Sequence, residues 1–178
     1  LKGLRRRAER EGLDNLRAVY MDMFDMDFRP GSFDVVWSEG AIYFMGFENG
    51  LERVFELLRP GGYAAVSEPV WLTGEPSEEA VNFWKGEYDG VESVEDKRES
   101  LGRLGYETVG SFVLPPEAWL ENYYGPLRRR AAEFLEKYSD REAREVSKRA
   151  IEEADAYEAC QGQFSYAFFV ARKPKGGL

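Results

Sequence analysis

The stretch FDVVWSEGAIYFMGF, residues 33–47, decides the fold: it is an apolar run that stops abruptly on Ser38, Glu39 and Gly40. Val35, Val36 and Trp37 are β-branched or aromatic and lack polar alternation. That is the pattern of a strand buried on both faces in a parallel sheet, and such strands belong to α/β proteins. Ligands of open α/β sheets bind beyond the carboxyl ends of the strands, so Ser38, Glu39 and Gly40 stand where function is expected. The alternative for Glu39 is a cap on the helix that follows.

On the C-terminal side, Leu51, Val54, Phe55 and Leu58 recur at i, i+3, i+4 and i+7. This predicts a helix over 48–58 that covers a sheet face and ends at Pro60-Gly61-Gly62. YAAVSE, residues 63–68, follows as a second buried strand with a polar end, Ser67-Glu68. On the N-terminal side, residues 1–11 read as the tail of an amphipathic helix stopped by Gly12-Leu13. Ala18-Val19-Tyr20-Met21 reads as a strand ending in Asp22, and Arg29-Pro30-Gly31-Ser32 as the turn into the next strand. Strand, helix and strand in alternation predict a parallel sheet flanked by helices.

Residues 70–104 change character, with Trp71, Phe83, Trp84 and Tyr88 among acids and glycines. Two short helices are predicted, opening near Ser77 and Ser93, the second with an S-x-x-D capping pattern. A strand over 106–114 is interrupted at Gly110. Pro115-Pro116 opens a helix carrying Trp119, Leu120, Tyr123 and Tyr124, which Gly125-Pro126 should break. Leu127, Ala131, Phe134, Leu135 and Tyr138 form a further helical stripe. A capping box from Ser139 to Glu142 starts a last helix with Ala143, Val146, Ala150, Ala154 and Tyr157 on one face. A strong strand over 163–172 closes the chain before a basic, Gly-rich tail expected to fray. No repeat, low-complexity tract or linker divides the sequence. Residues 1–178 are read as one domain, with 70–104 and 115–160 as helical insert or cap segments.

The 178 residues carry 33 acids against 24 bases, a net charge of −9. A nucleic-acid backbone is therefore not an expected partner. The clusters Arg5-Arg6-Arg7 and Arg128-Arg129-Arg130 lie in helix-like stretches among glutamates and read as solvated faces. One cysteine, Cys160, and no histidine exclude an intrachain disulfide, a cysteine-based metal site and His-based triads. No apolar run reaches the length of a membrane span and no signal-peptide pattern opens the chain, so a cytoplasmic location with no membrane partner is expected.

Three successive strands are thus predicted to end in Asp22, Ser38-Glu39 and Ser67-Glu68, lining one sheet edge with carboxylates and hydroxyls. Such an edge suits a cationic or polyhydroxylated ligand. Glycoside hydrolysis by paired carboxylates would require a defined separation that sequence does not set. A more specific signal lies in the order of three segments: AVYMDMFDMDF at 18–28, GSFDVVWSEGAIYFMGF at 31–47 and LRPGGYAAVSEPVW at 58–71. Their spacing resembles consecutive motifs of class I S-adenosylmethionine-dependent methyltransferases, in particular the small-molecule branch known as methyltransferase type 11. WSEGAIYFMGFENG at 37–50, FVLPPEAW at 112–119 and the closing aromatic strand extend the resemblance over essentially the whole chain.

The resemblance implies a Rossmann-like α/β sheet in the order 3-2-1-4-5-7-6, S-adenosylmethionine as cofactor and a small-molecule methyl acceptor as partner. It implies that Asp22 contacts the adenine amino group with Met23 beside the ring, while Ser38 and Glu39 lie near the methionine part and the acceptor entrance. Glu39 and Tyr43 are the implied catalytic candidates, with Glu68 a further base by position. The alternative for Tyr43 is a core aromatic on a first helical turn.

The family's glycine-rich loop and the acid that holds the ribose have no counterpart in the sequence, since no G-x-G-x-x-G occurs. What is present corresponds to the third strand onward. Two expectations stand side by side, that the chain is a truncated piece of a larger methyltransferase or that a rearranged or oligomeric packing replaces the first two strands; the sheet centre is otherwise exposed, and this chain alone is expected to bind the cofactor weakly or not at all. The aromatics of 70–88, with Trp119, Tyr123 and Tyr124, would form a lid and acceptor pocket, or simply the core of a helical cap. Two other classes compete: a non-catalytic, self-associating module or homo-oligomer built on the exposed edge, and a hydrolase or nucleotide-binding protein. The latter lacks a Walker loop and a G-x-S-x-G elbow.

Overall fold

Four long strands and one short bridge form a single mixed sheet in the computed structural model, which describes residues 1–138 and 140–176. The elements in chain order are α1 (Lys2–Arg10), β1 (Phe33–Ser38), α2 (Phe47–Leu57), β2 (Leu58–Trp71), α3 (Glu78–Trp84), β3 (Glu92–Ser93), α4 (Val94–Arg103), β4 (Glu107–Val113), α5 (Pro116–Trp119), α6 (Gly125–Lys137), α7 (Arg141–Ala159) and β5 (Phe164–Arg172). A 3₁₀ turn at Ile42–Met45 leads into α2, and a π turn at Leu120–Tyr124 joins α5 to α6. The sheet order is β1-β2-β5-β4, with β3 on the far end of β2. β1 and β2 are parallel, and β5 runs antiparallel to both β2 and β4. This is the 4-5-7-6 half of the order that the sequence resemblance implies.

The β1-α2-β2 unit forms as its pattern dictates. Leu51, Val54, Leu57 and Leu58 are buried, and Phe47 joins them, so one stripe of α2 covers Ala64, Val66, Val70 and Phe169 of the sheet. Each such side chain contributes about 2 kcal/mol on burial. Tyr106 completes this core, its hydroxyl donating to the Leu51 carbonyl at 2.9 Å. The Pro60-Gly61-Gly62 turn lies inside β2 rather than before it, at a register shift between Phe33 and Val35. Gly62 is obligatory there: a Cβ would sit 3.0 Å from the carbonyl oxygens of Arg59 and Asp34. Lys173 is anchored, its ammonium donating to the Phe55 and Leu58 carbonyls at 2.7 and 2.8 Å, which caps the C-terminal end of α2. The basic tail is therefore tied down at its first residue.

Several expectations are corrected. Residues 18–21 form no strand and lie extended without a ladder partner, with Tyr20 91% exposed. Strand conformation needs a second strand to take its N–H and C=O groups; among the described residues no strand lies beside this segment, and the Ala18 carbonyl instead accepts from the Arg5 guanidinium at 3.0 Å. β1 is an edge strand, not a strand buried on both faces: Val35 and Trp37 are 51% and 63% exposed. Its Trp37 ring leans on Phe168 at 5.2 Å, which in turn stacks on Phe112 at 5.5 Å, leaving an apolar strip on the uncovered face.

Gly125-Pro126 does not break the helical run but widens it into the π turn. Pro126 has no N–H to donate, and the Leu120 carbonyl lies 2.8 Å from where a Gly125 Cβ would be. The buried stripe of α7 is Ala143, Ser147, Ala154 and Tyr157, while Val146 is 55% exposed. Ser147, small enough for close packing, donates to the Ala131 carbonyl at 3.4 Å across the α6/α7 contact. Ser139 lies outside the described residues, and the N-cap of α7 is Asp140, accepting from the Ala143 N–H at 2.9 Å. Arg128 is not merely a solvated charge, because it pairs with Asp155 at 2.5 Å and Glu158 at 2.9 Å on α7.

Candidate active site

The helices after β4 fold back over the part of the sheet that carries the C-terminal end of β2 and the N-terminal end of β5. Trp119 is the pivot. Its indole N–H donates to Ser165 Oγ at 3.0 Å, and its ring stacks on Tyr157 at 5.0 Å and Tyr166 at 5.2 Å. Tyr124, fully buried, stacks on the same indole at 5.9 Å and donates to Glu153 at 3.2 Å. Phe164 packs against Phe83, Trp84 and Tyr157. This aromatic layer arises because β5 places Phe164 and Tyr166 on one face while α3, α5 and α7 bring their own rings to it.

Between this layer and the end of β1 lies a cavity of about 800 Å³. Aromatic walls come from Tyr43, Phe83, Trp84, Trp119, Tyr123 and Tyr166. Gly40 stands at the β1 end, and Glu87, Glu152 and Glu153 add carboxylates. The strand ends are held together there by the Gly40 N–H, which donates to Ser67 Oγ at 2.8 Å. Burial, and then the neighbouring Tyr43 phenol, push the Tyr166 phenol above its ordinary range. Burial also raises Tyr123, with Glu153 adding to the effect. Both phenols are therefore neutral hydrogen-bonding groups at physiological pH.

Behind Tyr43 a buried polar cluster is packed against the opposite side of β2. Glu68 is fully buried and Lys97 2% exposed. Tyr88 donates its hydroxyl to Glu68, and the Lys97 ammonium lies 3.4 Å from Glu68, 3.0 Å from Glu92 and 2.8 Å from the Gly90 carbonyl. The Phe47 ring lies 4.7 Å below the same ammonium. Desolvation outweighs these partners and pushes the Glu68 carboxyl up to about 7. Its second oxygen, Oε2, has no hydrogen-bond partner. The Tyr88 ring is 5.5 Å from that of Tyr43, so the cluster abuts the cavity wall without lining the cavity.

Of the residues singled out in the sequence, Tyr43 and Gly40 reach the cavity, as do Trp84, Trp119 and Tyr123 of the expected lid. Tyr124 belongs to the core beneath it. Ser38 and Glu39 end β1 but do not line the cavity, and the Glu39 carboxylate accepts from the Trp37 indole N–H at 2.7 Å. Asp22 is exposed on the loop after α1, where its carboxylate accepts from the Phe24 N–H at 2.9 Å, and Met23 is half-buried. Asp22 therefore does not end a strand. Sequence reading missed Tyr166, Glu87, Glu152 and Glu153. Tyr166 was legible only as one aromatic of a strand, and the glutamates as charges on helices. Their convergence depends on the packing of α7 against α3, which no local pattern encodes. Among the described residues no group of three or more acids, histidines or cysteines is placed to hold a metal ion.

A methyltransferase-domain family model matches residues 1–124. No curated protein is significantly similar in sequence. Among solved structures, the chain resembles a SAM-dependent methyltransferase from Geobacter sulfurreducens, solved with S-adenosylhomocysteine, at 23% identity and a TM-score of 0.74, covering 93% of this chain and 68% of that one. It also resembles a putative sarcosine dimethylglycine methyltransferase from Galdieria sulphuraria, at 17% identity and a TM-score of 0.73, covering 96% and 64%. A third is a phosphoethanolamine N-methyltransferase from Haemonchus contortus, solved with S-adenosyl-L-methionine, at 21% identity and a TM-score of 0.66, covering 86% and 36%. The chain thus spans about two thirds or less of the length of most of these structures, and it shares with them the Rossmann-like sheet. The match over residues 1–124, together with the β1-β2-β5-β4 sheet, places the chain in the methyltransferase-domain family.

Proposed function

We propose that the protein acts in S-adenosylmethionine-dependent methyl transfer to a small-molecule acceptor, and that these 178 residues supply the acceptor chamber. The observation that carries this reading is the aromatic-walled cavity of about 800 Å³ opening beside Gly40, at the carboxyl end of the β1-β2 pair. Its size suits a small molecule, and its position is where α/β sheets bind ligands. Of the cap segments 70–104 and 115–160, the first contributes its part around α3 to the roof while α4 packs with α2 on the other face of the sheet, the second completes the roof, and the setting is cytoplasmic. Among the described residues no helix is long and apolar enough to cross a membrane.

Methyl transfer is an in-line displacement that depends on positioning and exclusion of water. Trp84, Trp119 and Tyr166 provide the dry, rigid wall, and Tyr43 the hydrogen-bonding group nearest the strand ends. Glu39 faces outward from the same loop, where it serves the entrance rather than the chamber.

The residues implied for the cofactor do not by themselves fit it. Asp22 and Met23 stand on the loop after α1, Ser38 and Glu39 at the end of β1, and among the described residues β1 has no strand on its outer side. No glycine-rich loop faces them. One wall is present and the opposite wall is not, so this chain alone binds S-adenosylmethionine weakly or not at all. Calorimetric titration of the chain with S-adenosylmethionine tests this, and micromolar affinity would refute it. In an enzyme that does bind the cofactor, Trp84→Ala or Tyr123→Ala raises the acceptor KM or lowers kcat without weakening the cofactor; the opposite pattern refutes the chamber.

A second reading is supported by the uncovered strip of Val35, Trp37 and Phe112 beside an unpaired strand edge: a non-catalytic, self-associating module. A tight dimer without cofactor affinity, measured by light scattering and calorimetry together, favours it.

A further inference from the structure

The cavity has a charge character that its aromatic walls do not require. Three of its lining residues are glutamates, and no lysine or arginine lines it, although the chain has 24 basic residues. Among the described residues Glu87 has no ion-pair partner. Glu153 receives only the neutral hydroxyl of Tyr124 at 3.2 Å, and Glu152 is met by the exposed Lys148 at 3.3 Å. The phenols of Tyr123 and Tyr166 are held in their neutral form. The interior therefore offers ring faces, with negative quadrupole potential, and a rim of carboxylates.

We propose that this cavity binds a small organic cation, an amine or quaternary ammonium compound, seated against the aromatic wall that Tyr43, Tyr123 and Tyr166 contribute, with the glutamates at its mouth. An anionic ligand such as a carboxylate or phosphate ester meets no lysine or arginine among the lining residues, and it meets two carboxylates, Glu87 and Glu153, that have no ion-pair partner among the described residues. A neutral ligand gains from the apolar walls but not from the carboxylates. A cation gains from both, because aromatic faces attract positive charge and the acidic mouth raises its local concentration. The volume, about 800 Å³, accommodates such a molecule and excludes a folded partner. The inference rests on the chamber reading above, from which it follows that the methyl acceptor is a protonated amine, which gives its proton to water before its nitrogen lone pair takes the methyl group and the cofactor's thioether leaves.

The test needs no cofactor. Choline and its uncharged carbon isostere 3,3-dimethyl-1-butanol are titrated into the 178-residue chain, followed by the fluorescence of the tryptophans, two of which line the cavity, and by ligand-observed NMR. Choline is expected to bind in the millimolar range, at least about tenfold more tightly than the isostere. Glu87→Gln, in an exposed position, should weaken choline several-fold while leaving the isostere unchanged, and added salt should weaken choline alone. Tyr123→Leu should weaken choline more than the isostere. Equal affinity for the two probes, or no binding of choline up to about 50 mM, overturns the proposal. Binding of dimethylethanolamine, a tertiary amine whose nitrogen has a lone pair once its proton is lost, without methyl transfer in a cofactor-binding form of the enzyme would refute the transfer reading and leave the cation site standing. Transfer to uncharged acceptors without choline binding would do the reverse.

Discussion

Replacing Lys97 by Met tests the buried cluster most directly, because the side chain is 2% exposed and holds one fully buried carboxylate. The carboxyl of Glu68 stands at about 7 in the folded protein against its ordinary 4.5. A raised carboxyl pKa means that folded and unfolded chains are both protonated below about 4.5, and that only the unfolded chain releases the proton as the pH rises toward 7. Stability therefore falls across that window and levels off above it. The difference amounts to roughly 3 kcal/mol in the parent protein.

Lys97→Met removes the nearest positive charge, so the Glu68 pKa climbs further and the penalty at alkaline pH grows. At pH 8 the variant should lose about 2–3 kcal/mol, because Glu68 escapes bare burial by taking up a proton and the added penalty is limited to about 1.4 kcal/mol beyond the loss at pH 5. At pH 5 Glu68 is protonated, and the loss shrinks to about 1–2 kcal/mol, from the Gly90 hydrogen bond and the half-exposed Glu92 pair. Urea unfolding followed by circular dichroism at the two pH values measures both. The Glu68→Gln/Lys97→Met double variant, with the carboxylate neutralised, should regain about 1–2 kcal/mol at pH 8. A loss of the same size at pH 5 and pH 8, or a double variant no better than Lys97→Met alone, would show that Glu68 is not governed by burial and Lys97.

Three smaller perturbations probe other parts of the fold. Ser93→Ala removes the side-chain half of the α4 capping box, in which the Asp96 N–H donates to Ser93 Oγ at 3.1 Å, leaves the Ser93 N–H bond to the Asp96 carboxylate in place, and should cost about 1 kcal/mol in chemical denaturation. Gly62→Ala places a methyl 3.0 Å from two backbone carbonyls that cannot move without shifting the β1-β2 register, so a loss of about 1–3 kcal/mol is expected; an unchanged midpoint would show that the bulge is pliable. Trp37→Thr, at a position 63% exposed, should change stability by less than about 1 kcal/mol while lowering self-association measured by sedimentation.

The sheet that β1, β2, β4 and β5 form was legible because each strand announces itself locally. FDVVWS and YAAVSE are short apolar runs that end on polar residues, and the stripe Leu51, Val54, Leu58 has the period of a helix that covers them. Gly110, read as an interruption, is where the β4-β5 register shifts between Thr108 and Gly110. The caps at Ser77 and Ser93 were equally local, since each is a side chain bonding an N–H three residues on. Residues 18–21 misled for the same reason: their composition is that of a strand, but pairing is supplied by neighbours and not by composition.

Sequence by itself determined the order of strands and covering helices from β1 onward, the absence of histidine and the polar end of β1, whereas Asp22 ends no strand and β2 continues past Ser67-Glu68 to Trp71. Local propensity and hydrophobic period suffice for these, because each depends on residues a few positions apart. Only the tertiary structure decided which side chains share a site. Tyr43 and Tyr166 are 123 positions apart in the chain yet their ring centroids are 6.5 Å apart, and Glu87 and Glu153 line one cavity from separate segments. Whether a glutamate is a solvated charge or part of a binding wall depends on how α7 packs over the sheet. That packing is set by ring volumes converging on Trp119 from three elements, a property of the assembled core and not of any stretch of sequence.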